Sequence, residues 1–268
     1  GGLSASLGRL ALDGISWDST SLKLGTIWLE SPVADIYPGR YPDTLSRKAK
    51  AAPVDLYATL GEIAGEISLD RFSLTDANIQ YAYYGKSDSL QHQKLDTTNL
   101  FVEGLTVDNR RRSYKLDDIR FSTRNLVFPL DNGFYTLQVG GVDLTKSSAL
   151  VEHIRLVSPY PKMEFAYLQP RHADWFDVSV GSVSLTGIDL PSYFTDKVLR
   201  IDDVQVSDAV LQNFKNQQIP GPRHIVPMIY SGLQKAPVKL DFKRVGVKNF
   251  SVVYEELAKK GKTPGKLF

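Results

Sequence analysis

Apolar and polar residues alternate strictly along several stretches of the chain. In each stretch two apolar residues flank a polar or small one, and a further polar residue follows. The apolar pairs are Phe72/Leu74, Ile119/Phe121, Val183/Leu185, Val204/Val206 and Val245/Val247. Because successive side chains of a strand point to opposite faces, this period of two predicts β-strands with one apolar and one solvated face.

The alternating stretches belong to a sequence unit that recurs along the chain. Residues 69–81 read LDRFSLTDANIQY and residues 201–213 read IDDVQVSDAVLQN, with nearly the same order of apolar, acidic and turn-forming residues. Further copies start at positions 24, 95, 116, 139, 180 and 242. Most starts lie 21 to 23 or 41 to 45 residues apart, and spacings in this range indicate a repeat architecture.

Turn-forming residues occupy the middle of most copies, and a second alternating stretch follows them. Examples are Asp76-Ala77-Asn78, Arg124-Asn125, Thr186-Gly187, Asp208-Ala209 and Lys248-Asn249. Each copy therefore predicts a strand, a bulge or tight turn, and a second strand. Alternation with one apolar face favours antiparallel pairing, since antiparallel sheets can leave one face in water.

These patterns predict a mainly β fold: an extended, curled antiparallel sheet built from repeated strand-turn-strand units. Sheets of more than about ten strands tend to curl or split. The apolar face then either lines a curled trough or is closed in a β-sandwich, which is the alternative fold. Apolar residues at helical spacing within residues 53–65 and 223–236 predict one or two short helices that cap the sheet.

We expect residues 1–268 to form a single elongated domain of repeats, with any sub-boundary near residue 170. No apolar stretch approaches the roughly 20 residues that cross a bilayer, and the first residues do not read as a signal peptide. We interpret the chain as a fragment of a longer protein, whose export signal or membrane anchor would lie outside it.

Composition narrows the function by exclusion. The 32 basic and 30 acidic residues give a net charge of +2, which is too balanced for a nucleic-acid footprint. We therefore expect no nucleic-acid partner. The chain has no cysteine, which excludes disulfides, thiol nucleophiles and cysteine metal sites.

No arrangement of residues indicates catalysis, a metal or a cofactor. The four histidines are not spaced as metal ligands; they are His92, His153, His172 and His224. The neighbouring acids Asp117-Asp118 and Asp202-Asp203 would point to opposite faces of a strand. That geometry disfavours an acid/base pair and favours a structural role near the start of a strand. The sequence therefore predicts a protein that is not an enzyme and has no catalytic, metal or cofactor site.

The alternating apolar pairs are the candidate lining of a lipid groove. Burying one CH₂ group gains about 0.8 kcal/mol, so a continuous apolar trough suits acyl chains and needs no catalytic group. The lining candidates are Phe72, Leu74, Ile119, Phe121, Val183, Leu185, Val204, Val206, Val245 and Val247. We expect lipid acyl chains to be the ligand.

The repeats resemble those of bacterial AsmA-like proteins, which are related to TamB. The resemblance rests on ISLDRFSLTDANIQY, on DWFDVSVGSVSLTGIDLPSY followed by VLRIDDVQVSDAVLQNF, and on VKLDFKRVGVKNFSVVYEELAKKGKTPGKLF. It extends from about residue 60 to the end of the chain. It implies a non-enzymatic periplasmic domain with a curled β-groove that conducts lipid between membranes or supports outer-membrane biogenesis. It also implies attachment to the inner membrane through a segment absent from this chain.

Two other functions stay open on the residues alone. The aromatic cluster YAYYG at 81–85 favours an extracytoplasmic protein- or glycan-binding β-sandwich module. A parallel β-helix enzyme acting on polysaccharides would also repeat about every twenty residues. No single cluster of acidic or basic residues stands out as the active site of such an enzyme.

Overall fold

The computed structural model of the chain describes residues 2–37, 56–84, 90–130, 133–169, 171–196, 198–221 and 239–267. Strands account for most of these residues. They are β1 (Gly2–Ser6), β2 (Arg9–Asp13), β3 (Ser16–Trp17), β4 (Ser21–Glu30), β5 (Val33–Tyr37), β6 (Glu66–Tyr84), β7 (Leu90–Asp108), β8 (Ser113–Lys115), β9 (Asp118–Pro129), β10 (Thr136–Thr145), β11 (Ser148–Val157), β12 (Trp175–Asp189), β13 (Val198–Asn216), β14 (Lys239–Leu257) and β15 (Gly265–Leu267). The helices are α1 (Leu56–Gly61), α2 (Lys162–Leu168) and α3 (Leu190–Asp196).

The strands are hydrogen-bonded into one mixed sheet. Its main order is β1-β5-β6-β7-β9-β10-β11-β12-β13-β14-β15, while β2 and β3 pair with β4, β4 with β6, and β8 with β7. The order has two ends, so the sheet is not closed. The prediction of a mainly β fold with short helices is confirmed, and the described residues contain three helices where one or two were expected. All described strands belong to one sheet, in contrast to the two sheets of the sandwich alternative.

Three ladders are parallel, which corrects the expectation of a purely antiparallel sheet. Strands β4 and β5 run parallel to β6, and β13 runs parallel to β14. The ladders of β6 with β7, β7 with β9, β11 with β12 and β12 with β13 are antiparallel as predicted. The sequence pattern could not make this distinction because a solvated face gives the same alternation in either kind of pairing.

The register of the parallel ladders reproduces the spacing of the sequence repeat. Ser21 pairs with Glu66, 45 residues later, and the copies that start at 24 and 69 are separated by the same number of residues. Val204 pairs with Val245, 41 residues later, as the copies at 201 and 242 are spaced. Parallel neighbours are therefore successive copies of one unit, with equivalent positions side by side.

Contacts between residues divide the chain into two compact units. Unit 1 comprises residues 1–125 and 143–146, and unit 2 comprises residues 126–142 and 147–268. The single domain over residues 1–268, with a sub-boundary near 170, stays a prediction.

Left-handed residues mark the middle of the long strands. Asp76, Asn125, Gly187, Asp208 and Asn249 all have φ between 51° and 69°. Each was expected to form a bulge or turn, and each lies inside a continuous strand. In the copies at 69, 116, 201 and 242 the centre of the repeat is therefore a bend within a strand, and the second half of the copy continues the same strand. The copies at 24 and 139 instead divide into two strands, and the copy at 180 passes into α3.

In unit 2 three left-handed residues and one glycine form a line across four strands. His153 of β11, Gly181 of β12, Asp208 of β13 and Asn249 of β14 stand at the same register level. The Asn249 side-chain amide donates a hydrogen bond of 2.8 Å to the Asp208 carboxylate across the line. The pairing of β12, β13 and β14 keeps one register on both sides of the line.

Two glycines leave space for an acidic side chain that extends over them from a neighbouring segment. Gly104 of β7 and Gly187 of β12 are left-handed, and a Cβ atom there would overlap the carboxylates of Asp117 and Asp202 respectively. These aspartates are the first members of the acidic pairs singled out in the sequence, and each also pairs with a lysine. Their contacts are consistent with a structural role; Asp117 directly precedes β9, and Asp202 lies within β13.

The short helices are only partly predictable. Helix α1 lies within the predicted segment 53–65, while the segment 223–236 lies outside the described residues. Helices α2 and α3 have seven residues each, too few for a clear helical period in the sequence.

An ion pair fastens α2 to β14 in unit 2. The Lys162 ammonium donates to the carboxylate of Glu255, and Lys266 approaches the same carboxylate at 3.5 Å. The hydrogen bond from Lys162 is the main reason that the pKa of Glu255 lies below its ordinary value.

Replacing Gly187 by alanine should destabilise unit 2 by more than about 2 kcal/mol, because the Cβ strains a left-handed backbone and also overlaps Asp202. Gly133 is the matched control, with a φ of 70° and nothing within 4 Å of the Cβ position. Gly133→Ala should cost about 1 kcal/mol from backbone strain alone. Urea unfolding followed by circular dichroism compares the two, and equal losses would contradict the role given to Asp202.

Lys162→Met should destabilise unit 2 by about 1 kcal/mol at pH 7. A carboxyl group with a depressed folded pKa adds stability above its unfolded pKa, and this is lost as pH falls through the folded pKa. The difference between the wild type and the variant should therefore shrink below about pH 4. Lys239→Met, which removes the same charge from an exposed position, is the control. A difference that stays constant from pH 7 to pH 3 would refute the ion pair's contribution.

Candidate functional site

In unit 1, four of the ten predicted lining residues join two apolar rows that cross the strands. The pairing of β6, β7 and β9 gives the rows Phe72–Val102–Ile119 and Leu74–Leu100–Phe121. Paired residues on neighbouring strands share a face, so each row is a continuous apolar band. Leu100 and Val102 of β7 were not among the predicted residues, because the copy at position 95 fits the repeat only loosely.

Strands β4 and β2 extend both rows of unit 1. Ile27 and Leu12 join the row of Phe72, and Leu29 and Leu10 join the row of Leu74. At a spacing of about 4.8 Å between strands, each row spans roughly 19 Å across five strands. The apolar surface of unit 1 is thus wider than the predicted residues alone indicate.

In unit 2, the other six predicted residues also form two rows. The pairing of β12, β13 and β14 gives Leu185–Val204–Val245 and Val183–Val206–Val247. Ala149 and Val151 of β11 extend these rows by one strand. Structure and sequence therefore agree on which residues share a face.

Three more rows of unit 2 lie beyond the predicted residues. They are Ile188–Ile201–Phe242, Ile154–Val180–Ala209–Phe250 and Leu156–Val178–Leu211–Val252. The last two rows lie beyond the line of residues that runs from His153 to Asn249. Across that line, successive apolar residues of a strand are three positions apart instead of two. Sequence reasoning missed them because the left-handed residues change the phase of the alternation.

The face opposite the apolar rows is polar in both units. In unit 1, Arg71 and Glu103 form an ion pair of 3.1 Å between β6 and β7. The Arg120 guanidinium lies 4.2 Å from the centre of the Phe101 ring and also pairs with Asp118 at 3.0 Å. In unit 2, the rows between the apolar ones contain Ser184–Gln205–Gly246 and Ser182–Ser207–Lys248. This division confirms one apolar and one solvated face.

Helix α2 packs against the ends of β13 and β14 in unit 2. Ala166 of α2 forms a buried cluster with Phe214 of β13 and Leu257 of β14. Trp175 of β12, which is paired with Phe214, and Met163 of α2 also pack against this cluster.

Exposure of the apolar rows rises towards β14. Val204 of β13 is 8% exposed, while its neighbour Val245 in the same row is 61% exposed. The exposed apolar residues of β14 are 40–61% accessible, and they are Leu240, Phe242, Val245, Val247, Phe250 and Val252. Contiguous exposed apolar surface of this kind is characteristic of binding sites for apolar ligands or partners.

Two predicted residues of unit 1 border a concavity. Leu74 and Phe121 line it together with Leu100, Leu144 and residues of the polar rows, among them Phe101 and Arg120, and its volume is about 380 Å³. This volume falls within the range of small-molecule sites in proteins.

Other chemistry is sparse in the described part of the chain. No group of three or more acidic or histidine side chains is placed to hold a metal ion among the described residues. No helix within the described ranges has the length and apolar character to cross a membrane.

Comparisons with known proteins return no matching family model, no matching curated protein and no matching solved structure. The resemblance to AsmA-like repeats stays a prediction based on the quoted stretches of sequence. The contrast between the two faces is the structural basis for assigning a function.

Val204→Ala should destabilise unit 2 by about 2 kcal/mol, because it removes two buried methyl groups and leaves a cavity. Val245→Ala makes the same change at the exposed end of the same row and should cost less than about 0.5 kcal/mol. Urea unfolding of both variants measures the difference. Equal effects would show that the row is not buried at β13 as described.

Proposed function

We propose that this chain is a non-enzymatic β-groove domain that binds lipid acyl chains along its apolar rows. The observation that carries the proposal is the composition of unit 2, where every position in five consecutive rows is apolar. A sheet that only needed a stable core would bury such residues, yet those of β14 are exposed.

The dimensions of the rows suit an acyl chain. Ten residues separate Ile201 from Leu211, which corresponds to about 33 Å along the strand. The hydrocarbon core of a bilayer is about 30 Å thick, so one acyl chain needs roughly half of that length.

The energetics also favour this ligand. Transfer of about fifteen CH₂ groups from water gains on the order of 12 kcal/mol, before the cost of immobilising the chain. The rows offer van der Waals contact without directional hydrogen bonds, so they favour long hydrocarbon over a particular head group.

The proposed setting is the bacterial cell envelope. The AsmA-like character of the repeats supports a periplasmic protein that is held at the inner membrane by a segment outside this chain. In that setting the groove would conduct lipid between membranes or support outer-membrane biogenesis.

A second candidate function is glycan or protein binding outside the cytoplasm. It is favoured by Tyr81 and Tyr83 of β6, whose rings stack with centroids 6.0 Å apart and an interplanar angle of 9°. Tyr81 is exposed, and stacked aromatic rings can serve as a platform for a sugar. Under this alternative, Tyr81→Ala would abolish glycan binding and leave fatty-acid binding unchanged.

Val247→Asp should weaken binding of a fluorescent fatty acid by at least about tenfold, because it places a charge in the apolar row and removes apolar contact. Ser251→Asp adds the same charge to an exposed position on the polar side of β14 and should leave the affinity unchanged. Fluorescence titration gives both affinities, and circular dichroism verifies the fold of each variant.

The purified wild type should also release phospholipid on extraction and mass spectrometry. The proposal fails if no lipid or fatty acid binds at any tested ratio, or if both aspartate variants lose affinity equally.

A further inference from the structure

The concavity bordered by Leu74 and Phe121 is a slot that crosses four strands of unit 1. Its lining consists of Leu74, Leu100, Phe121 and Leu144 and of the residues on both sides of each, all within unit 1. These four residues stand on β6, β7, β9 and β10, so the slot is about 14 Å long at about 4.8 Å between strands. The flanking residues of each strand are two positions apart, which makes the slot about 7 Å wide.

The slot opens on the polar face of the sheet. One wall is the paired row Ser73–Phe101–Arg120, and the other wall contains Asn99 paired with Ser122. The neighbouring apolar row, Phe72–Val102–Ile119, does not line the slot. The row of Leu74 therefore contributes its backbone as the floor, while its side chains lie on the apolar face.

Contacts among the wall residues hold them in position. The Arg120 guanidinium lies 4.2 Å from the centre of the Phe101 ring and pairs with Asp118 at 3.0 Å. The Asn99 amide donates a hydrogen bond of 3.2 Å to the Ser122 hydroxyl, and its oxygen accepts a backbone N–H at 3.0 Å. Groups that are ordered before a ligand arrives lose little freedom when it binds, which favours affinity.

The slot offers hydrogen bonds without net charge. The one carboxylate among its lining side chains, that of Asp143, pairs with Arg124 at 2.9 Å, and the one guanidinium has its own carboxylate partner. The hydroxyls of Ser73 and Thr75 have no hydrogen-bond partner among the described residues. A neutral ligand with hydroxyl groups therefore gains hydrogen bonds here, whereas a charged ligand meets only charges that are already paired.

We propose that this slot on the polar face of unit 1 binds a short, linear, neutral oligosaccharide. Sugar hydroxyls both donate and accept hydrogen bonds, so they match the hydroxyls of Ser73 and Thr75 and the amide of Asn99. The Phe101 ring offers apolar contact to the C–H groups of a sugar. The length and width of the slot suit a linear chain better than a branched one.

The slot is separate from the acyl-chain surface and from the stacked tyrosines. The acyl-chain surface consists of apolar rows on the opposite face of the sheet. Tyr81 and Tyr83 follow the left-handed Asp76 in β6 and do not line the slot. Binding of sugar in the slot is therefore a further activity and does not rest on the binding of lipid.

The test titrates the full chain with cellotriose, maltotriose and chitotriose and follows backbone amide resonances by NMR. At least one trisaccharide should bind and shift the amides of residues 73–75, 99–101 and 120–122. Ser73→Leu fills the slot and should weaken that binding by at least about tenfold. Ser184→Leu makes the same change on the polar face of β12 in unit 2 and should leave the affinity unchanged. Circular dichroism verifies the fold of both variants, and the shifts of the wild type locate the site without either variant.

Salt and the tyrosines provide two further controls. Raising NaCl from about 50 mM to about 500 mM should change the affinity less than twofold, because the slot has no net charge. Tyr81→Ala should leave the affinity unchanged.

Four results would overturn the proposal. They are no binding of any of the three sugars at millimolar concentration, shifts confined to residues outside the slot, equal losses in the two leucine variants, and an affinity that falls more than tenfold with salt. Loss of binding in Tyr81→Ala but not in Ser73→Leu would place the sugar on the stacked tyrosines and would also overturn it. Fatty-acid binding enters none of these measurements, so the slot and the acyl-chain surface are tested separately.

Discussion

Backbone pairing in a fixed register is the constraint on which the rest of the molecule depends. Hydrogen bonds between neighbouring strands fix which residues stand side by side, and side chains that stand side by side share a face. A register error of one residue would move every apolar side chain of a strand to the polar face. The apolar rows therefore exist only because equivalent positions of the repeat are paired, as Val204 is with Val245.

The bends would break this order if they occurred in single strands. A left-handed residue changes the phase of alternation in its own strand, so an isolated one would misalign the side chains beyond it. In unit 2 the left-handed residues of β11, β13 and β14 stand at one level with Gly181 of β12, and the apolar rows resume together on the far side. Two glycines also help to keep the strands aligned at this level, because Gly140 leaves room for His153 and Gly181 leaves room for Asp208.

Much of this arrangement can be predicted from sequence, and the failures have identifiable causes. The alternating pairs correctly gave the two faces, and Asp76, Asn125 and Asp208 correctly marked the bends. The rows beyond the bends were missed because a strict period of two stops at the left-handed residue. Leu100 and Val102 were missed because the register of β7 shifts between Asp96 and Asn99, which distorts that copy of the repeat. Parallel pairing of β13 with β14 was missed because strand direction leaves no mark on one-sided alternation.

In the parallel ladders, paired residues are separated by the same number of residues as the copies of the repeat. This agreement has a consequence for how such a molecule can lengthen. The two parallel pairs differ by four residues in spacing, 45 against 41, yet both align equivalent positions of the unit. The connecting segment therefore varies in length without disturbing the alignment. Tandem duplication of a gene segment encoding one unit would add a strand whose side chains fall directly into the existing rows. Evolution could in this way extend the apolar surface stepwise, with each new copy templated by the one before it.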